Sequence, residues 1–463
     1  MDKLVEEEKG HVLALPIPAQ GHINPMFQFS KRLVSKGLKV TILIAFLNPE
    51  SMPHQAGKIK VETISDPTQG EALKKMEGFL EFFQEVVSIN LGQVIEKQRN
   101  MGNPISCLVY DSTVPWALDI AKQFGLIAAP LFTQPCAVNA IYFNFHEGLL
   151  RMPEEEEEHS KSGVIAMAGL PQLEISDLPS FLYDAKSYPT MLGHVTGQFS
   201  NFRKADCILI NTFESLEEEV LSCMASQWPP IKNIGPTIPS MYLDKRLKDD
   251  NDYAVSLFKP EAETCRNWLD TKEEGSVVYV AFGSLAALGE EELEELAWGV
   301  KNSNKHFLWV VRESEVEKLP RNFIEKTMAG EKGMVVSWCP QLEVLAHKAV
   351  GCFVTHCGWN STLEALCLGV PMVAIPQWTD QPTNAKFVMD VWRVGIRVKV
   401  DEKGKATRKE IEKCIRLVME GERGLEIKRN SEKLKQLAKE AVDEGGSTDK
   451  NIEEFVAKVV CTL

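Results

Sequence analysis

Two side chains in the first quarter of the chain have the types and the setting for proton transfer. His22 lies in PAQGHINP (18–25), just beyond a strand-like apolar run at 11–17. Asp111 directly follows a second such run at 105–110. Both therefore belong at one rim of a single parallel sheet. An imidazole titrates near pH ~6.5, so it can accept a proton near neutrality. A carboxylate on its other ring nitrogen fixes the tautomer and stabilises the imidazolium. The pair is suited to general base catalysis on a hydroxyl. The plainer alternative is that each residue caps the helix after it; the two roles are compatible.

A second set of polar groups is packed into the 44 residues 338–381, WCPQLEVLAHKAVGCFVTHCGWNSTLEALCLGVPMVAIPQWTDQ. In THCGWNSTLEAL a buried strand turns into a helix. A helix start offers unpaired N–H groups and a partial positive charge, a natural seat for a diphosphate. His356, Asn360 and Ser361 add side-chain donors there, beside Gly358. Glu364 can accept from both hydroxyls of a ribose. Ser361 with Glu364 would also serve as a plain capping box. Trp338 offers a flat face for a base, with the Cys339 backbone at the base edge and Gln341 in reach of a ribose. Asp380 and Gln381 place a carboxylate beside an amide, a pair that holds sugar hydroxyls well because both accept and one donates.

Other patterns carry less. Asn360-Ser361-Thr362 matches a glycosylation acceptor, but no secretory signal precedes it. Cys352, His356 and Cys357 lack a CxxC partner to complete a zinc site, so no metal is expected. Asp250-Asn251-Asp252 sits in an aperiodic stretch and is expected to be a solvated charge cluster. No GxGxxG and no Walker loop occurs, which disfavours NAD and ATP.

The elements that must position these groups alternate strand and helix in both halves, the pattern of parallel sheets covered on both faces. In the first half, strands are expected at 11–17, 39–45, 105–110, 128–132, 206–212 and 231–234. Helices are expected at 26–37, 71–99, 111–125 and 215–228. In the second half, strands are expected at 276–281, 306–311, 333–337, 351–355, 372–375 and 395–400. Closing helices are expected at 407–419, 424–444 and 448–462. The chain has 463 residues, too many for one ordinary core. We expect a first domain over 1–235, a linker over 236–260, a second domain over 261–448, and a helix at 449–463 that returns to the first domain. Two doubly wound domains would face a cleft between the carboxyl ends of their sheets.

Composition excludes several classes. Hydrophobic residues make up 44% and charged residues 25%, as in soluble globular proteins. A net charge of −14 argues against nucleic-acid and anionic-lipid partners. MDKLVEEEKG is no secretory signal, and no eighteen-residue apolar run occurs, so a cytoplasmic protein without a membrane span is expected. The 11 scattered cysteines read as free thiols. A monomer is the default.

The 338–381 segment resembles the signature box of plant secondary-product UDP-glycosyltransferases at essentially every diagnostic position. PAQGHINP, Phe282-Gly283-Ser284 and the overall length support the resemblance. It implies the two-domain GT-B fold, in which the first domain binds the acceptor and the second the UDP-sugar. It also implies roles: Trp338 and Cys339 for uracil, Gln341 and Glu364 for ribose, and His356, Asn360, Ser361 and Ser284 for diphosphate. Trp359, Asp380 and Gln381 fall to the sugar. Thr133 matches a position near the diphosphate or acceptor. A closing Gln implies glucose where a His implies galactose. Cys339 replaces a frequent Ala, a small departure if only its backbone touches uracil.

The expected activity is inverting O-glucosyl transfer from UDP-glucose to a hydroxyl or carboxyl group of a hydrophobic acceptor (terpenoid, steroid or phenolic), with His22 as base and Asp111 behind it. Phe79, Phe83, Trp116, Phe132, Tyr142, Met191 and Phe199 are the candidates for the acceptor pocket. Aromatic and Met side chains suit a flat aglycone, and each could instead be core. The alternatives are a non-catalytic UDP-sugar binding protein and a UDP-sugar epimerase on the same fold. The epimerase would want further acidic residues where His22 and Asp111 stand.

Overall fold

A computed structural model of the chain describes residues 10–46, 55–65, 76–152, 164–253, 260–329 and 332–461. The acidic amino terminus, the glutamate-rich stretch 153–163, linker residues 254–259 and the expected helix start at 71–75 lie outside the described residues.

The chain forms two α/β domains, each built on one sheet. The first sheet has 8 strands: β1 (His11–Leu15), β2 (Lys39–Ala45), β3 (Gln55–Ala56), β4 (Ile59–Ile64), β5 (Cys107–Asp111), β6 (Ile127–Phe132), β7 (Ile208–Ile210) and β8 (Ile231–Asn233). Their order is β3-β4-β2-β1-β5-β6-β7-β8, parallel except for the β3–β4 pair. The second sheet has 6 parallel strands: β9 (Val277–Ala281), β10 (His306–Val310), β11 (Gly333–Val336), β12 (Val350–Thr355), β13 (Met372–Ala374) and β14 (Gly395–Arg397). Their order is β11-β10-β9-β12-β13-β14. The central strands are apolar and buried along their whole length, because helices cover both faces.

Strand order reverses between β1 and β5 in the first sheet, and between β9 and β12 in the second. Loops leaving such a switch point diverge to opposite faces and open a crevice at the carboxyl ends. His22 follows β1 and Asp111 ends β5. Phe282-Gly283-Ser284 follow β9 and His356 follows β12. The four segments with the most chemistry thus occupy the two crevices.

Most expected strands recur with ends moved by one to three residues. Three local readings need correction. The stretch 18–25 is largely helical rather than a turn: a helix runs Gln20–Ser35 with Pro25 inside it. The β4 strand was not anticipated, since only Ile59 and Val61 alternate before Glu62-Thr63 break the apolar period ahead of Ile64. Nor was the Cys136–His146 helix, whose apolar residues hide its period.

The linker is also more ordered than its composition implies. Asp250 is buried rather than solvated, accepting from the Ser240 N–H at 2.7 Å and Lys31 Nζ at 2.5 Å. Arg32 pairs with Asp244. The closing helix, Ser447–Cys461, packs Phe455 on Phe29 and so covers the first sheet. Among the described residues, no helix is long and apolar enough to cross a membrane.

Candidate active site

The two crevices face each other. In the first, His22 Nδ1 lies 2.5 Å from Asp111 Oδ2, and Thr133 Oγ1 lies 3.3 Å from the same nitrogen. The other oxygen, Asp111 Oδ1, accepts from the Thr113 N–H at 3.1 Å and the Thr113 hydroxyl at 2.6 Å. Asp111 therefore does organise the following turn while facing His22, and the two roles coexist. Asp111 is fully buried, whereas the His22 side chain keeps 29% exposure toward the cleft.

Burial works against a charged imidazole, but Asp111, by charge and hydrogen bond, with Asp380 from the second domain, outweighs it and holds His22 above its ordinary pKa. Burial likewise opposes the Asp111 carboxylate, and His22 and Thr113 hold it below its ordinary value. His194 was missed by the sequence reading. It lies on the Pro189–Gly197 helix one turn beyond Met191, and burial pushes it down to about 4 despite the charge of Asp111.

In the second crevice the helix Trp359–Leu368 starts at Gly358, so Ser361 sits within the first turn and is not the cap. His356 is neutral, since burial lowers it to about 4. Its ring is wedged between two glycines: a Cβ on Gly283 or Gly358 would lie 2.8 or 2.6 Å from Nε2. Gly283 has φ of +71°, a region costly for other residues. The Ser284 carbonyl of the same loop accepts from the Arg312 guanidinium at 2.6 Å. Arg312 ends the β10 rim and was also missed.

Gln341, Ser361 and Glu364 form one network. Gln341 Nε2 donates to Ser361 Oγ at 2.9 Å and Glu364 Oε2 at 2.6 Å, and Gln341 Oε1 accepts from Tyr279 at 3.1 Å. Tyr253 of the linker donates to Glu364 Oε1 at 2.7 Å. Burial raises the Glu364 carboxyl. Cys339 is buried with Sγ 3.2 Å from the Tyr279 hydroxyl, so only its backbone can meet a ligand. Half-buried Trp338 accepts from the Glu261 N–H at 3.0 Å through its carbonyl.

Asp380 stands immediately before the Gln381–Lys386 helix. Its oxygens accept from the Thr379 hydroxyl at 2.5 Å and Asn384 Nδ2 at 2.7 Å, and burial raises it. Gln381 Oε1 accepts from the Gln377 and Trp378 N–H groups at 2.8 and 3.1 Å, which leaves its NH2 as the group to donate.

Trp359 meets the first domain through its side chain. Its buried indole donates to the Asn211 carbonyl of the first domain at 2.7 Å and packs on Trp392. The sequence alone cannot separate an indole at the site from one that anchors the other domain. What Trp359 offers the site is backbone: its N–H helps hold Asp380.

The expected aromatic pocket divides. Phe79, Phe83 and Trp116 pack with Phe46 and Phe82 in one chain of rings. Met191 is half-buried against the same large hydrophobic core. Phe132 and Phe199 are instead core, within a cluster closed by Phe143, Phe202 and Trp228. Phe199→Leu should cost about 1–2 kcal/mol of stability in urea denaturation, the scale of lost ring pairs. Acceptor KM should not change; an altered acceptor preference would return Phe199 to the pocket. Tyr142 is fully buried, and its hydroxyl, with no hydrogen-bond partner in the structure, feels the charge of Asp380.

Among the described residues, no three His, Cys, Asp or Glu side chains are grouped to hold a metal. The site thus presents a polarised imidazole opposite a helix start, two buried carboxyls and an amide.

Known proteins are similar to this chain in sequence and fold. A family model described as "UDP-glucoronosyl and UDP-glucosyl transferase" matches residues 10–441. The chain is similar to Mogroside I-E synthase of Siraitia grosvenorii, 50% identical over 456 residues, or 97% of this chain and 99% of that one. It is equally similar to UDP-glycosyltransferase 74E2 of Arabidopsis thaliana, 50% identical over 97% and 99% of the two chains. Among solved structures it resembles Os79 from O. sativa in complex with UDP, at a TM-score of 0.89 and 39% identity over 97% and 100% of the chains.

Proposed function

The chain belongs to the UDP-glucoronosyl and UDP-glucosyl transferase family, and on that premise we propose that it is an inverting O-glucosyltransferase acting from UDP-glucose on a hydrophobic small molecule. The observation that carries this reading is the His22–Asp111 pair at 2.5 Å on one rim, facing the Trp359–Leu368 helix start on the other.

In this reading the fold is GT-B, divided near residue 235, with the linker 236–260 and donor-side residues 261–448. Uracil lies on Trp338 and the Cys339 backbone. Glu364 and Gln341 take the ribose. His356, Ser361, Asn360, Ser284 and the helix N–H groups take the diphosphate. Asp380, the Gln381 amide and the Trp359 backbone hold glucose. Neutral His356 donates one N–H without adding charge.

His22 keeps its proton on Nδ1, toward Asp111, and presents Nε2 to the acceptor. The acceptor O–H gives its proton to Nε2 as its oxygen attacks the anomeric carbon. The bond to UDP breaks on the opposite face, and the helix start meets the growing negative charge. Attack from one side and departure from the other convert an α-linked donor into a β-glucoside. No metal ion takes part. A carboxylic acceptor is already ionised at neutral pH, so His22 would orient it rather than deprotonate it. Eleven cysteines free of disulfides suit a protein working in the cytosol, and we take it as a monomer.

The test is a mass-spectrometric screen of terpenoid, steroid, phenolic and carboxylate aglycones, with UDP-glucose and UDP-galactose in competition. We expect glucosides whose anomeric proton reports the β configuration by NMR. An α-glucoside would overturn inversion, and preferential galactosylation would overturn the role of Gln381.

A further inference from the structure

Pro25 stands at the sixth position of the Gln20–Ser35 helix. At that place an ordinary residue donates its N–H to the carbonyl four residues back, which belongs to Gly21. Proline has no N–H to give, and in a helix interior it normally carries a stability cost. The Gly21 carbonyl instead accepts from Asn360 Nδ2 of the second domain at 2.9 Å. A donor from across the cleft has taken the place of the helix's own.

The two ends of this bond are not arbitrary surface. Gly21 immediately precedes His22. Asn360 lies in the first turn of the helix that starts at Gly358, beside Ser361. The neighbouring Trp359 is itself fixed on the Asn211 carbonyl, so the start of this helix meets the first domain twice.

We infer that Pro25 is a positioning residue for the transfer reaction: by withholding its N–H from Gly21 it reserves that carbonyl for Asn360, and the Asn360–Gly21 bond holds the backbone of His22 in register with the donor seat. The inference rests on the assignment of His22 as base and of the Trp359–Leu368 helix start as diphosphate seat. It assigns Asn360 a second duty, toward protein through one Nδ2 hydrogen, which leaves the other Nδ2 hydrogen and its backbone N–H for the diphosphate. Pro25 itself touches neither substrate.

Pro25→Ala tests this directly, because it returns the missing N–H and lets the helix reclaim Gly21. A residue with a merely structural role would lose activity along with stability. Here the two should part: the melting temperature holds or rises, since alanine removes the proline cost. At saturating substrates kcat falls by about fivefold, the scale of one net hydrogen bond. The affinity for UDP alone, measured by calorimetry, stays within about twofold, because the donor-side groups are untouched. In an Asn360→Ala background Pro25→Ala should add nothing further, since the bond it weakens is already gone.

Full kcat in Pro25→Ala, or effects that multiply in the double variant, would overturn the inference. If Pro25→Ala does not fold, Pro25→Ser returns the same N–H and is judged by the same outcomes. The premise fails separately. His22→Ala with wild-type activity removes the base assignment whatever Pro25→Ala does, whereas an inactive His22→Ala beside a silent Pro25→Ala removes this inference alone.

Discussion

Replacing His22 by alanine is expected to lower the rate of transfer to a hydroxyl acceptor by about 10²–10⁴-fold, the usual worth of a positioned general base. UDP affinity should scarcely change. The separation follows from the geometry. The imidazole belongs to the first domain, with its partners Asp111 and Thr133, and its 29% exposure faces the cleft. The residues read as holding UDP all follow strands of the second sheet. A carboxylate acceptor supplies its own nucleophile, so the same variant should lose far less with it. Steady-state kinetics on one phenolic and one carboxylate acceptor, with calorimetry on UDP, check all three statements. Equal losses on both acceptors would make His22 a positioning group and remove the base from the mechanism.

Much of this site was legible in the chain because strand-to-helix turns advertise themselves. His22, Asp111, His356, Asp380 and Gln381 all fall just beyond short apolar runs. A parallel sheet collects such positions at one edge, so linear spacing becomes spatial proximity. What escaped was decided by partners far away in sequence. Nothing local distinguishes the Trp359 indole, which donates to Asn211, from an indole facing a sugar. Phe132 and Phe79 are both buried, yet each joins a different set of rings, and only residues distant in sequence decide which. Tyr253 and Arg312 brace the site from a linker and a neighbouring strand end. Pro25 misled for a physical reason. A proline beyond the first turn reads as a helix breaker, whereas here Asn360 takes over the donation that proline lacks.

Asp111→Asn should be nearly as damaging as losing His22, a fall of about 10³–10⁴-fold, and Thr113 explains why so conservative a change does it. The Thr113 N–H and hydroxyl both point at Oδ1. An asparagine keeps its oxygen there to satisfy those two donors, and so turns its NH2 toward His22. That NH2 donates to Nδ1, which drives the ring proton to Nε2, the atom that must accept from the acceptor. The variant therefore holds the wrong tautomer in an otherwise intact site.

The pH dependence gives the check its sign. Only neutral His22 is a base, and Asp111 raises its pKa, so wild-type kcat should climb with pH along a limb lying above pH ~6.5. Without the carboxylate, burial prevails, and the limb of the residual activity moves to lower pH. Stability follows the same linkage. The raised His22 contributes stability that is fully present below about pH 6.5 and lost as pH rises through its folded value. The depressed Asp111 contributes stability that is present above about pH 3.9 and lost as pH falls through its own. Melting temperatures from acid to alkaline pH should thus lose the Asp111 slope in Asp111→Asn and reverse the His22 slope, since the buried imidazole without its carboxylate titrates below its ordinary value. An asparagine variant with wild-type kcat and an unmoved limb would mean that Asp111 orders the Thr113 turn and nothing more.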